Sequence, residues 1–127
     1  MEKIAKKLRI LLGELEIEGE INNSKTAQLI LEALPIETET SLWGEEIYFA
    51  IPVKAELDSG AREVVSMGDL GYWPTGRAFC IFFGPTPASR GDEIRAASAV
   101  NLIGKIVSDP KLLKKVKEGV RVRLEKA

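Results

Sequence analysis

Histidine is absent from these 127 residues, and cysteine occurs once, as Cys80. Without histidine there is no His-based triad or histidine general base, and zinc sites built on Cys and His are excluded. A single thiol cannot form an intramolecular disulfide, which suits a reducing compartment. Charge of one sign is also lacking: 18 basic residues face 19 acidic ones, for a net charge of −1. That balance gives no electrostatic drive toward nucleic acid or anionic lipid. Long apolar runs are missing too. No stretch approaches the ~20 apolar residues of a membrane-spanning helix, and the N-terminal residues lack the pattern of a secretory signal. The cytoplasm is the expected location. No phosphate-binding glycine motif and no metal-ligand cluster occurs, so neither a cofactor nor a metal is implied.

What is present fits one globular domain over residues 1–127, with 45% hydrophobic and 29% charged residues. Glu and Lys are plentiful and Asn and Gln scarce, a composition that leans toward a thermophilic source. The basic clusters at Lys3, Lys6, Lys7 and Arg9 and at Lys111, Lys114, Lys115 and Lys117 read as solvated faces.

Period-two patterning dominates. Lys7 to Leu12 reads as a strand, and Gly13 as a bend. Glu14, Glu16, Glu18 and Glu20 then alternate with Leu15, Ile17, Gly19 and Ile21 in a half-buried strand with an acidic outer face. Ser24 offers an N-cap to a helix over Thr26 to Leu34, stopped by Pro35. From Ile36 to Val53 the alternation resumes, with Trp43, Glu45, Ile47, Phe49 and Ile51 on one face and Gly44, Glu46, Tyr48 and Ala50 on the other. Strands are also expected at Arg62 to Met67, Ala78 to Phe83, Ala99 to Val107 and from Val120 onward, with a short helix at Lys111 to Lys117 after Asp109-Pro110. About eight short strands and two short helices predict a mainly β fold, a closed barrel whose open ends the helices plug.

The aromatics are few, at 6%, and they are concentrated. Gly68 to Ser89 reads GDLGYWPTGRAFCIFFGPTPAS and holds three of the four phenylalanines and one of the two tryptophans. Tyr72-Trp73-Pro74 is read as a glycine-flanked loop, and Phe79, Ile81 and Phe83 as one face of the strand that follows. Rigid aromatic surface held by a short strand suits a site for an apolar ligand or peptide, and it equally suits a capped core. Cys80, between apolar neighbours, reads as an inert buried thiol. Glu45 and Glu46 are adjacent on a strand and therefore point to opposite faces. Glu45, on the Ile47 face, is the one expected to pair with Arg62 or Arg77. Asp69 in its glycine-flanked turn suits a local backbone acceptor, and Arg77 is the cation nearest Trp73 in sequence.

The order of elements and several motifs resemble the cyclophilin fold. Ser24-Lys25-Thr26-Ala27 is similar to the start of the first cyclophilin helix, and Met67-Gly68-Asp69 to the end of the motif Gln-Gly-Gly-Asp. Asn101-Leu102-Ile103-Gly104-Lys105-Ile106 is similar to the late strand with its Gly-Lys-Val ending. Trp43 to Phe49 (WGEEIYF), together with Gly68 to Ser89, resembles a compact, uncharacterised prokaryotic cyclophilin-like family, over nearly the whole chain. The resemblance implies a closed cyclophilin-like barrel. It does not carry cyclophilin catalysis with it: the catalytic Gln position falls on Ser66, the catalytic Arg position on Asp58, and the Phe-His-Arg segment is absent.

These readings converge on a binding domain with a groove between Trp43, Tyr72, Trp73 and Phe82 for a peptide or small apolar molecule. Glu45, Tyr48, Ser66, Asp69 and Arg77 are further contact candidates. The alternative is a divergent prolyl isomerase that uses Arg62 or Arg77 as its cation. A third reading is an accessory domain with a protein partner.

Overall fold

The computed structural model describes residues 6–127, so Lys3 lies outside the described residues. Strands β1 (Lys6–Leu12) and β2 (Leu15–Ile21) form a hairpin, turned by Gly13 at φ +64°. Helix α1 (Lys25–Ala33) begins where the Ser24 hydroxyl accepts the Ala27 N–H at 3.2 Å. It buries Thr26, Ala27, Ile30 and Leu31. Then follow β3 (Ile36–Glu39), β4 (Ser41–Leu42), β5 (Glu46–Ala50), β6 (Arg62–Val65), β7 (Asp69–Trp73), β8 (Ala78–Phe82), β9 (Ile94–Ile106) and β10 (Arg121–Lys126). Pro74–Gly76 and Pro110–Lys115 are 3-10 turns. The second of these stands where a helix over Lys111 to Lys117 was expected, opened by the Asp109 carboxylate accepting the Lys111 N–H at 3.0 Å. Among the described residues, no helix is long and apolar enough to cross a membrane.

The strand ladder runs β3-β10-β1-β2-β9-β7-β8-β5-β4, with β6 attached to β9. Its two ends are successive pieces of one segment, parted only by Thr40. The seam is stapled to β10's approach: the Thr40 N–H donates to Val120 O at 2.8 Å, and the Gly119 N–H to Thr40 O at 2.9 Å. The sheet therefore wraps around on itself through the chain at Thr40, although the hydrogen-bonded ladder is not continuous there. With Ile36–Leu42 counted as one stave and β6 set outside, eight staves remain.

Alternation along the staves builds the interior from Leu8, Ile10, Ile17, Ile47, Leu70, Phe79, Ile81 and Leu124, all at most 2% exposed. Phe49 and Phe79, cross-strand partners, stack with ring centroids 5.3 Å apart. The outer face of β2, β1, β10 and β3 carries a lattice of ion pairs: Lys7–Glu18, Arg9–Glu16, Arg9–Glu125, Arg123–Glu125, Arg121–Glu37 and Arg123–Glu37. The acidic face of β2 and the basic face of β10 thus both answer to the charges of β1 and β3. Exposed pairs of this kind contribute little stability each.

Two sequence expectations are corrected. Ile36 to Val53 is not one alternating run, because Trp43 to Glu46 makes a tight reversal between β4 and β5. Tyr72 and Trp73 lie on strand β7, not in a loop.

Candidate functional site

The reversal after β4 decides which side chains meet. The Trp43 N–H donates to Glu46 O at 2.9 Å and the Glu46 N–H to Trp43 O at 3.2 Å, leaving Gly44-Glu45 as a two-residue hairpin loop. Gly44 has φ +59°, the positive first central position that such a loop assigns to glycine. Residues directly opposite each other in an antiparallel pair share a face. Trp43 and Glu46 therefore point the same way, and so does Tyr48, two residues along β5. In β8, Phe82 lies opposite Glu46 and Cys80 opposite Tyr48; in β7, Trp73 lies opposite Ala78. All of them project outward, away from the barrel interior.

On that outer side Val65, Ala78, Cys80, Phe82, Ile94, Ala96 and Val100 form a second apolar cluster, with Tyr48, Trp73 and Leu102 packed against it. The strands beneath are thus apolar on both faces, which is why β8 reads Ala-Phe-Cys-Ile-Phe with every residue buried. A pocket of about 200 Å³ opens on this cluster, lined by Trp43, Glu46, Tyr48, Trp73, Ala96, Ala97 and Val100.

Its walls are held from behind. The Trp73 indole N–H donates to the Ser98 hydroxyl at 2.6 Å, and the ring lies so close to Gly76 that a Cβ there would come within 2.7 Å of it. The loop after β8 clamps the Trp43 hairpin: the Glu45 N–H donates to Pro85 O at 2.9 Å and the Phe83 N–H to Glu45 O at 3.0 Å. A Cβ on Gly44 would stand 2.8 Å from Pro87 Cδ and Thr86 Cα. Thr86 in turn bonds Arg95 O, and the Ser89 hydroxyl accepts the N–H groups of Thr86 and Arg95 at 2.9 and 3.1 Å. These bonds tie the hairpin to the start of β9, beside Ala96 and Ala97.

Glu46 is the one carboxylic acid of the lining. It is 6% exposed. Burial raises its carboxyl to about 7, and a hydrogen bond with the Cys80 thiol opposes part of that rise. Every ion pair among the described residues is made by other carboxylates. Burial and the nearby Glu46 push the Cys80 thiol up, so it stays protonated and unreactive at neutral pH. A larger cavity of about 560 Å³ lies between α1 and the β1 and β10 ends. It is lined mainly by the exposed side chains of Lys6, Lys7, Gln28, Glu32 and Lys126, and it holds neither aromatic walls nor a buried polar group.

Of the residues singled out from sequence, Trp43, Tyr48 and Trp73 come together in the pocket. Tyr72 does not: it is fully buried in the barrel interior, its hydroxyl donating to Val53 O at 2.6 Å and accepting the Ala55 N–H at 3.3 Å. Phe82 is fully buried in the outer cluster, beneath the surface. Glu45 sits in the hairpin loop rather than on the Ile47 face, and its nearest cation is Lys114 at 4.0 Å, not Arg62 or Arg77. Ser66 and Asp69 bond each other in a turn, the Asp69 carboxylate accepting the Ser66 N–H at 2.8 Å. Arg62 is exposed on β6, which pairs with β9, and Arg77 is exposed with a left-handed backbone, φ 48°. Neither guanidinium lines the aromatic pocket. The residues not singled out as contacts were Glu46, Ala96, Ala97 and Val100. A signal for Glu46 was in the sequence, since Gly44-Glu45 between alternating apolar runs is a hairpin loop.

Comparison with known proteins is consistent with this architecture. A family model described as Cyclophilin-like matches residues 6–125. The solution structure of a hypothetical protein from Archaeoglobus fulgidus superposes with a TM-score of 0.84 at 40% sequence identity, covering 99% of this chain and 98% of that one. No curated protein matches.

Proposed function

The chain belongs to the cyclophilin-like family, and from that premise we propose that it is a binding domain whose ligand enters the outer pocket between Trp43, Tyr48 and Trp73. The observation that carries this reading is the convergence of those three rings, from β4–β5 and β7, on one concave apolar surface. Exposed aromatic surface backed by a packed floor is characteristic of contact sites. The rings are also positioned before any ligand arrives, by Ser98 behind Trp73 and by the Gly84–Pro87 loop behind Trp43. Preorganisation of this kind reduces the entropy lost on binding. The size of the pocket supports a small molecule or a single peptide side chain, because drug-sized ligands need ~300–1,000 Å³. No observation favours the isomerase alternative, since the exposed Arg62 and Arg77 stand outside the pocket.

Both tryptophans of the chain line this pocket, so intrinsic fluorescence reports on it directly. Titration with small apolar and aromatic compounds is expected to give saturable fluorescence changes that Trp73→Ala abolishes while the fold persists by circular dichroism. Binding left intact in Trp73→Ala would refute the assignment. Exchange NMR on Xaa-Pro peptides is expected to show no acceleration of cis–trans exchange; acceleration would restore the isomerase reading.

A further inference from the structure

The Glu46 carboxyl lies at the pocket, buried, and among the described residues no lysine or arginine pairs with it. Buried charges in proteins are paired or costly. Every other lining residue is an aromatic, an alanine or a valine. An anion would meet the carboxylate with no compensating cation. A ligand rich in hydrogen-bonding groups would find few partners. A cation would meet a counter-charge and three aromatic rings, a class of side chain whose π-systems attract positive charge.

The kind of cation follows from the same list. A primary ammonium has three donors to satisfy and is strongly hydrated, whereas the lining offers one carboxyl and the Tyr48 hydroxyl. A methylated ammonium spreads its charge over apolar methyl groups, which suit alanine, valine and aromatic walls. At about 200 Å³ the pocket admits a head group rather than a drug-sized molecule.

We propose that the pocket binds the methylated ammonium head group of a small organic cation, with Glu46 as counter-ion and Trp43, Tyr48 and Trp73 as the surrounding walls. This rests on the reading of the pocket as a ligand site. Binding couples to protonation, because the cation requires Glu46 ionised and releases its proton to solvent. The groups facing Glu46 leave it as the titrating partner. Cys80 on β8 is a buried thiol, Trp73 on β7 and Ala96, Ala97 and Val100 on β9 are neutral, Tyr48 shares its strand, and Glu45 in the hairpin lies toward Lys114. Affinity should therefore rise as pH passes upward through 7, the region to which burial has raised Glu46.

The test uses the full chain, tryptophan fluorescence and indole N–H resonances, with choline against its uncharged carbon isostere 3,3-dimethylbutan-1-ol at about pH 8. Choline is expected to bind at least about tenfold more tightly than the isostere, and Glu46→Gln to cut that preference back to what the aromatic walls alone sustain. Equal binding of the two compounds overturns the ammonium assignment and leaves the pocket as an apolar site, and a preference undiminished in Glu46→Gln overturns Glu46 as its counter-ion. Absence of saturable binding by either, with both indole signals unmoved, overturns the pocket reading as well.

Discussion

Replacing Glu46 by Gln should stabilise the protein at alkaline pH and change little at acid pH. The folded chain holds the Glu46 proton to about pH 7 against an ordinary carboxyl value of 4.5. The cause is first burial, with the Cys80 hydrogen bond acting in the opposite direction. A folded carboxyl raised in this way binds its proton more tightly than the unfolded chain does. Its contribution is complete below the unfolded value, declines as pH rises through the window between the two, and is gone above the folded value. At ~1.36 kcal/mol per pH unit, the window corresponds to about 3 kcal/mol, an upper figure because local relaxation and water entry reduce it. Gln stays neutral throughout and nearly matches Glu in size and shape. The other titrating groups are common to both proteins and cancel in the difference. Urea unfolding of the two proteins at about pH 4.5 and about pH 8.5 measures it. The variant's advantage should grow by about 1–3 kcal/mol between those conditions. A difference that stays constant with pH would refute the argument, because it would mean that the Glu46 carboxyl is solvated or has found a cation.

Two further substitutions probe the supports of the site. Tyr72→Phe removes the hydroxyl that links Val53 O and the Ala55 N–H. It should cost about 1–3 kcal/mol in denaturant unfolding and speed hydrogen exchange at Ala55, while leaving ligand binding at Trp73 unchanged. Gly44→Ala forces a side chain onto φ +59° and within 2.8 Å of Pro87 and Thr86. A loss of about 1–3 kcal/mol is expected, together with weaker binding because Trp43 shifts; unaltered stability would show that the hairpin is not clamped as described.

The stave pattern was legible because each strand has one wet face and one dry one over most of the barrel. Leu15 to Ile21 and Arg121 to Lys126 alternate cleanly, and both are strands with the expected inward residues. The resemblance carried by Trp43 to Phe49 and Gly68 to Ser89 extends over the matched family region. The site was less legible, for a physical reason rooted in the same rule. Where β5, β7, β8 and β9 are covered on both faces, alternation loses its contrast, and every residue of Ala78 to Phe82 is buried. Sequence alone then cannot say which ring faces the interior and which the outer cluster. Tyr72 and Trp73 illustrate this, being neighbours that took opposite faces, one bonded inside at Val53 and the other fixed outside at Ser98.

The assignment of Glu45 and Glu46 turned on a single residue of register. Carrying the alternation of Ile36 to Val53 straight through Gly44 places Glu45 with Ile47 and puts Trp43 on the barrel side. A two-residue loop at Gly44-Glu45 reverses the strand, so that Trp43 and Glu46 become cross-strand neighbours on the outer face. A shift of one residue flips every side chain in a strand. The whole chemical character of the pocket, aromatic walls around a carboxyl with no cation beside it among the described residues, therefore depends on Gly44 adopting a positive φ that other residues resist. That dependence makes the hairpin, rather than any one wall residue, the element that distinguishes this site from a plain apolar cleft. An extended backbone at Gly44 would return Glu46 to the face opposite Trp43 and leave the rings without a counter-charge.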